Sequence, residues 1–213
     1  LAITALSFFF YKQKIKKLPI FSTSFLGALT DQPKVLQVQL ADWKKKGLVE
    51  SLRKGLCVLS REERETEPSL FYLANQIYVP SYISLESALT HYGLIPEFTP
   101  VTTSVTVRNT RRFENSFGVF VYQHVSPNGF GGFVSVRESA KLTVLIALPE
   151  KAVVDFLYLN LSKFDPHDRA VFTESYRFQN CDRLNPKKLR GYAQKFSTKK
   201  LTSVVELFIE EVI

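Results

Sequence analysis

Apolar positions near the start of the chain recur first at helical spacing and then at strand spacing. Leu6, Phe9 and Phe10 can share one side of a first helix, expected over residues 6–17. Pro19 ends it, because proline lacks an amide donor and restricts the residue before it. Ser22, Thr23 and Ser24 offer hydroxyls to cap a second helix that contains Phe25, Leu26 and Leu29. A turn at Thr30-Asp31-Gln32 leads to Pro33, which suits the first turn of a third helix over residues 33–46. There Leu36, Leu40 and Trp43 form one apolar stripe, while Lys34, Gln37, Ala41, Lys44 and Lys45 fall mostly on the other side. Gly47 closes this helix. Leu48, Leu52, Leu56 and Val58 then supply strand positions around a turn at Arg53-Lys54-Gly55, which reads as a hairpin.

Residues 61–68 are polar, alternate in charge and end in Pro68, as expected of a short solvent-exposed connection. The pattern beyond it changes. Helices are expected over residues 69–76 and 84–92, the second stopped by Gly93. Strand-like runs cover residues 101–107, 118–124, 130–137 and 141–148, with the strongest turn signal at Pro127-Asn128-Gly129. Val144-Leu145-Ile146-Ala147 is continuously apolar and reads as a central strand. Helices over residues 150–161, 186–196 and 198–213 close the chain. The expected class is α+β: an N-terminal unit (residues 1–60), a linker, and a second unit (69–213) with a mainly antiparallel sheet and C-terminal helices.

Composition adds one asymmetry. The net charge is +8, from 28 Lys and Arg against 20 Asp and Glu. Nearly all of the excess lies in residues 1–60, on Lys12, Lys14, Lys16, Lys17, Lys34, Lys44, Lys45, Lys46, Arg53 and Lys54, against only Asp31, Asp42 and Glu50. A basic head on a near-neutral body points to a polyanion partner. The order of helices followed by a basic hairpin reads as a winged helix-turn-helix. Its third helix would present lysines to phosphates and Gln37 to adenine, and Arg53 and Lys54 would reach a phosphate or the minor groove. A winged helix also serves as a protein-docking module, and a Lys/Gln face is also simply a solvated face.

Other chemistry is sparse. Cys57 and Cys181 are isolated thiols that suit a reducing cytoplasm, and His91, His124 and His167 are scattered, so neither a disulfide framework nor a metal site is expected. The apolar run 1–11 is too short to span a bilayer, and its lysines follow rather than precede it, unlike a signal peptide. The chain has no Met, so Leu1 does not read as an initiator and residues 1–7 carry no argument. Glu138 with Lys141, and Glu150, Lys151 and Asp155, would be the carboxylates and lysines of a metal-dependent nuclease with a winged-helix targeting head. The competing reading makes them structural, since Glu150 in a first helical turn also suits the helix dipole. Arg108, Arg111 and Arg112 form a cluster with three readings: a solvated loop, a surface for an acidic partner, or an auxiliary DNA-backbone contact. Phe113, Phe117, Phe120, Tyr122, Phe130 and Phe133 read as core and cross-strand aromatics.

Three stretches carry a family likeness. The segment Pro80-Ser81-Tyr82-Ile83-Ser84-Leu85-Glu86-Ser87-Ala88-Leu89, continuing to Tyr92-Gly93-Leu94-Ile95-Pro96, is the most specific. Leu148-Pro149-Glu150-Lys151-Ala152-Val153-Val154-Asp155 is another, and Lys45-Lys46-Gly47-Leu48 with Arg53-Lys54-Gly55-Leu56 is the third. Over about residues 18–160 the chain resembles AbiEi-type antitoxins, the regulatory half of type IV toxin–antitoxin phage-defence pairs. Cys57 departs from the aromatic more usual there. The resemblance implies a protein that binds repeated double-stranded operator DNA in its own promoter and represses it. It also implies a C-terminal domain that supports neutralisation of a nucleotidyltransferase-like toxin. Separately, with no Gly-rich phosphate loop and no Ser/His/Asp or Cys/His grouping in the sequence, neither a catalytic residue nor a cofactor is expected.

Overall fold

Trp43 anchors the first of two apolar cores in the computed structural model, which describes residues 7–96, 100–140, 142–165 and 169–213. Leu6, Lys141 and His167, named above, lie outside the described residues. The head contains α1 (Phe8–Ile15), β1 (Phe21–Ser22), α2 (Thr23–Gly27), α3 (Pro33–Lys45), β2 (Val49–Arg53) and β3 (Leu56–Leu59). Ser22 caps α2, its hydroxyl accepting from the Phe25 amide at 3.1 Å. The Leu36, Leu40 and Trp43 stripe of α3 is buried against Tyr11, Ile15, Phe21 and Leu26. The rings of Phe8 and Tyr11 lie 5.2 and 5.5 Å from Trp43. Each fully buried side chain of this kind contributes about 1.5–3 kcal/mol. Gly47 and Gly55 take the left-handed conformations, φ 72° and 82°, that the helix end and hairpin turn require.

The three strands form an antiparallel sheet in the order β1-β3-β2. The β2–β3 hairpin is buried on both faces. Val49, Cys57 and Leu59 join the Trp43 core, while Leu52, Leu56 and Val58 join a second, larger core. The reason is in the strand itself: Leu56-Cys57-Val58-Leu59 is apolar at every position, so neither face can be left to water.

Residues 61–68 leave Arg61, Glu62, Glu65 and Glu67 exposed, and the segment is also tied to the head. The Glu65 amide donates to the Lys16 carbonyl at 2.8 Å, and Thr66 Oγ1 donates to the Lys17 carbonyl at 3.1 Å. Glu63 pairs with Lys12, and Glu65 pairs with Lys16 at 2.7 Å. Arg64, its side chain only 6 % exposed, donates to the Leu59 carbonyl and to Glu67 and lies 5.2 Å from the Phe117 ring. Two of the alternating charges, Glu63 and Glu65, thus meet lysines in the last turn of α1 and just past its end.

The body holds α4 (Leu70–Ile77), β4 (Ser81–Ile83), α5 (Leu85–His91), β5 (Val101–Thr106), β6 (Arg111–Asn115), β7 (Gly118–His124), β8 (Phe133–Arg137), β9 (Thr143–Ala147), α6 (Pro149–Leu159), α7 (Pro186–Gln194) and α8 (Lys199–Val212). Its six-stranded sheet runs β6-β7-β5-β4-β9-β8. Three of its five pairings are antiparallel, as expected of a mainly antiparallel sheet, but β5 pairs parallel with β7 and β4 parallel with β9, so the sheet is mixed. The pattern of apolar positions did not predict two short strands, β4 and β6, each of which reverses the chain and so sets the direction of its successor. Helices cover both faces. Tyr122 is in register with Ser104 and donates to the Ala74 carbonyl of α4, while Tyr82, in register with Val105, donates to Asp155 of α6 on the other face. Among the described residues, no helix is long and apolar enough to cross a membrane.

Candidate nucleic-acid interface

Burying Leu36, Leu40 and Trp43 turns the opposite side of α3 to solvent. Lys34, Gln37, Val38, Ala41 and Lys45 are all exposed there. Positions 34, 38, 41 and 45 make one stripe at helical spacing. Val38 is 71 % exposed, and the sequence reading passed over it although its spacing placed it among the lysines. Lys34 and Lys45 have no carboxylate partner among the described residues, whereas Lys46 pairs with Asp42 at 2.8 Å. Lys44 flanks this face on the hairpin side. Burial pushes the Cys57 thiol up, and the Lys44 ammonium and Ser51 hydroxyl beside it pull in the other direction.

The hairpin tip divides its two cations. Lys54 is exposed. Arg53 turns toward the body, where its Nε donates to the Ile77 carbonyl at the end of α4 at 2.6 Å and its Nη1 donates to the Lys54 carbonyl at 3.0 Å. Next to it lies the second arginine cluster. Arg111 and Arg112 stand on edge strand β6, not in a loop. Arg112 is engaged by Glu114 at 3.0 Å. Arg108 donates to the Val79 carbonyl at 3.0 Å and lies 5.0 Å from the Tyr78 ring. Arg53, Lys54, Arg108 and Arg111 thus line one open cleft of about 320 Å³, where the sequence had separated them into two clusters.

The carboxylates of the nuclease reading are dispersed. Glu138 accepts from the Ser69 hydroxyl at the start of α4. Glu150 is buried, accepting from the Asn185 amide at 3.2 Å and facing Lys188 at 3.7 Å. Asp155 is wholly buried. It pairs with Lys151 one turn away and accepts from the Tyr82 and Ser84 hydroxyls at 2.9 and 2.8 Å. Burial drives the Asp155 carboxyl up and the Lys151 ammonium down, and the mutual attraction of the two opposes both shifts. Burial, then the Asp155 charge, raises the Tyr82 phenol far above its ordinary value. Lys151 also lies 4.9 Å from the Phe196 ring, so the pair is roofed by the chain just past the end of α7. Leu85, at the start of α5, is held at φ 58°, a left-handed conformation unusual for a leucine. Its neighbour Ser84 fixes it from both ends, by the bond to Asp155 and by a carbonyl that accepts from Thr103 Oγ1 at 2.8 Å. Among the described residues, no group of three or more His, Cys, Asp or Glu side chains is arranged to hold a metal ion.

No protein-family model matches the chain, and no curated protein matches its sequence.

Proposed function

We propose that this chain is a DNA-binding autorepressor and antitoxin of the AbiEi type, with a winged helix-turn-helix at its N-terminus and α3 as the groove-reading helix. The observation that carries this reading is the solvent face of α3, where Lys34 and Lys45, unpaired among the described residues, bracket exposed Gln37, Val38 and Ala41. Lysines neutralise phosphates, a glutamine offers paired groups to an adenine edge, and small apolar side chains meet thymine methyls. Lys44 beside this face and Lys54 at the hairpin tip add phosphate contacts. Arg53 adds positive potential from a fixed position beneath the tip.

The body acts in the same cytoplasmic pair by supporting neutralisation of a nucleotidyltransferase-like toxin. In support, the segment most specific to the resemblance, Tyr82 to Leu89, forms β4 and α5 and contributes two of the groups that enclose Asp155 of the second segment. Two stretches far apart in sequence are therefore one packed unit. The test is a reporter driven by the gene's own promoter, with co-expression of the adjacent reading frame. The full chain represses the reporter and relieves growth arrest by the neighbour. Lys34→Gln with Lys45→Gln loses repression and keeps protection. A reporter indifferent to the full chain, or a neighbour whose toxicity it does not relieve, would contradict the proposal.

A further inference from the structure

We infer that the cleft between the hairpin tip and the β6 edge is a binding site for a small polyphosphate anion, the class of nucleoside triphosphates and linear polyphosphates. Four cationic side chains border it, Arg53 and Lys54 from the hairpin and Arg108 and Arg111 from the body, and no carboxylate is among the described residues that line it. Like charges gathered around one concavity repel one another, a cost that a multiply charged anion would remove.

Two of the four are also pre-positioned. Arg53 and Arg108 each donate to a backbone carbonyl of the same turn, those of Ile77 and Val79, two residues apart. Arg108 gives one N–H in this anchoring and Arg53 gives two, to the Ile77 and Lys54 carbonyls. The remaining N–H groups of each planar fork are then available without the entropy cost of ordering a free side chain. Arg111 and Lys54 are exposed and complete the rim. A volume of about 320 Å³ is at the lower end for a small-ligand pocket and fits a chain of phosphates better than a large cofactor. The cleft is also concave, and a guanidinium already lies over the Tyr78 ring, so phosphate charge rather than base stacking is the recognised feature. Because the hairpin supplies two cations and the body two more, Arg108 from the loop before β6 and Arg111 from β6 itself, a bound anion ties the two together.

The site shares Arg53 and Lys54 with the DNA reading, so its test uses small anions first and varies the arginines of the body. Calorimetric titration of the full chain with adenosine triphosphate, and separately with tripolyphosphate, should give one saturable site for each at constant ionic strength. Arg111→Gln, an exposed change on an edge strand, should weaken both by about tenfold, the loss of one charge-assisted contact, and Arg108→Gln should do likewise. Lys200→Gln on α8 should leave both unchanged. Tighter binding of the nucleotide than of tripolyphosphate would add recognition of the nucleoside, and equal binding would assign the site to phosphate alone; both support the inference. No saturable binding, an undiminished affinity in Arg111→Gln, or equal weakening by Lys200→Gln would overturn it. So would the case in which neither anion binds but Arg111→Gln weakens binding to duplex DNA of any sequence, which would make the cleft a backbone contact.

Discussion

The head and the body of this chain use charge in opposite ways. In the head the small core is apolar, and the lysines at both ends of the α3 solvent face, Lys34 and Lys45, stand outside it without carboxylate partners among the described residues. In the body the buried charged side chains among the described residues are Glu150, Lys151 and Asp155, all on α6 and all hydrogen-bonded or paired. An unpaired exposed cation costs the fold little and is free to meet a partner. A buried charge is tolerated only when neighbours satisfy it, as they do at these three positions of α6. The contrast teaches that the α6 charges are tied into the packing of the body, while the α3 lysines are left open to the DNA partner proposed for them.

The largest expected effect comes from breaking the buried pair. Asp155→Asn leaves the Lys151 charge enclosed without its partner and should cost about 3–5 kcal/mol in chemical denaturation. Lys151→Met with Asp155→Leu removes both charges and should cost less than the single change. A single change that costs under about 1 kcal/mol would mean that α6 is not organised around this pair.

A smaller effect is expected at the seam, where the contrast between the two regions is bridged. Arg64→Ala removes bonds to Glu67 and the Leu59 carbonyl together with the Phe117 contact, and should cost about 1.5–3 kcal/mol. Unfolding should remain one cooperative transition, because the hairpin carries side chains of both cores. Two separate transitions would instead make head and body independent. For the same reason a fragment ending near Arg64 uncovers Leu52, Leu56 and Val58, and is expected to associate or aggregate unless those positions are made polar.

The smallest effect concerns an exposed pair in the body. Hydrogen bonds from Arg190 hold the Glu206 carboxyl below its ordinary range. A lowered folded-state value means a contribution that is present above the ordinary glutamate range and lost as pH falls through the lowered value. Glu206→Gln should therefore be slightly less stable than the parent near neutrality and indistinguishable from it in acid, as read from melting curves across pH. A gap that persists in acid would trace the effect to packing rather than to charge.

Much of α3 was legible because its stripe of Leu36, Leu40 and Trp43 repeats over about two turns, a signal that local sequence carries by itself. The strands β1 and β4 were not, since two or three residues hold no period. Strand β6 was hidden by its edge position, where Arg111 and Arg112 remain exposed and mimic a loop. The spacing of Lys151 and Asp155 was visible, but their burial is decided by Tyr82 and Ser84, about seventy residues earlier. Likewise the cationic cleft exists only once β6 docks beside the hairpin, where Asn115 donates to the Leu52 carbonyl at 3.1 Å. Arg53 illustrates the same limit, because a hairpin-tip arginine looks free until the end of α4 supplies its acceptor.

The central claim is that the exposed cations of α3 meet the phosphates of duplex DNA. The most direct measurement is affinity for the gene's own promoter duplex as a function of salt, for the parent and for Lys34→Gln with Lys45→Gln. The expected result is a weaker complex whose log–log salt slope is shallower by about 0.9 for each phosphate contact removed, with the melting temperature of the protein unchanged. An identical slope and affinity in the variant would contradict the assignment of α3 as the DNA-reading helix.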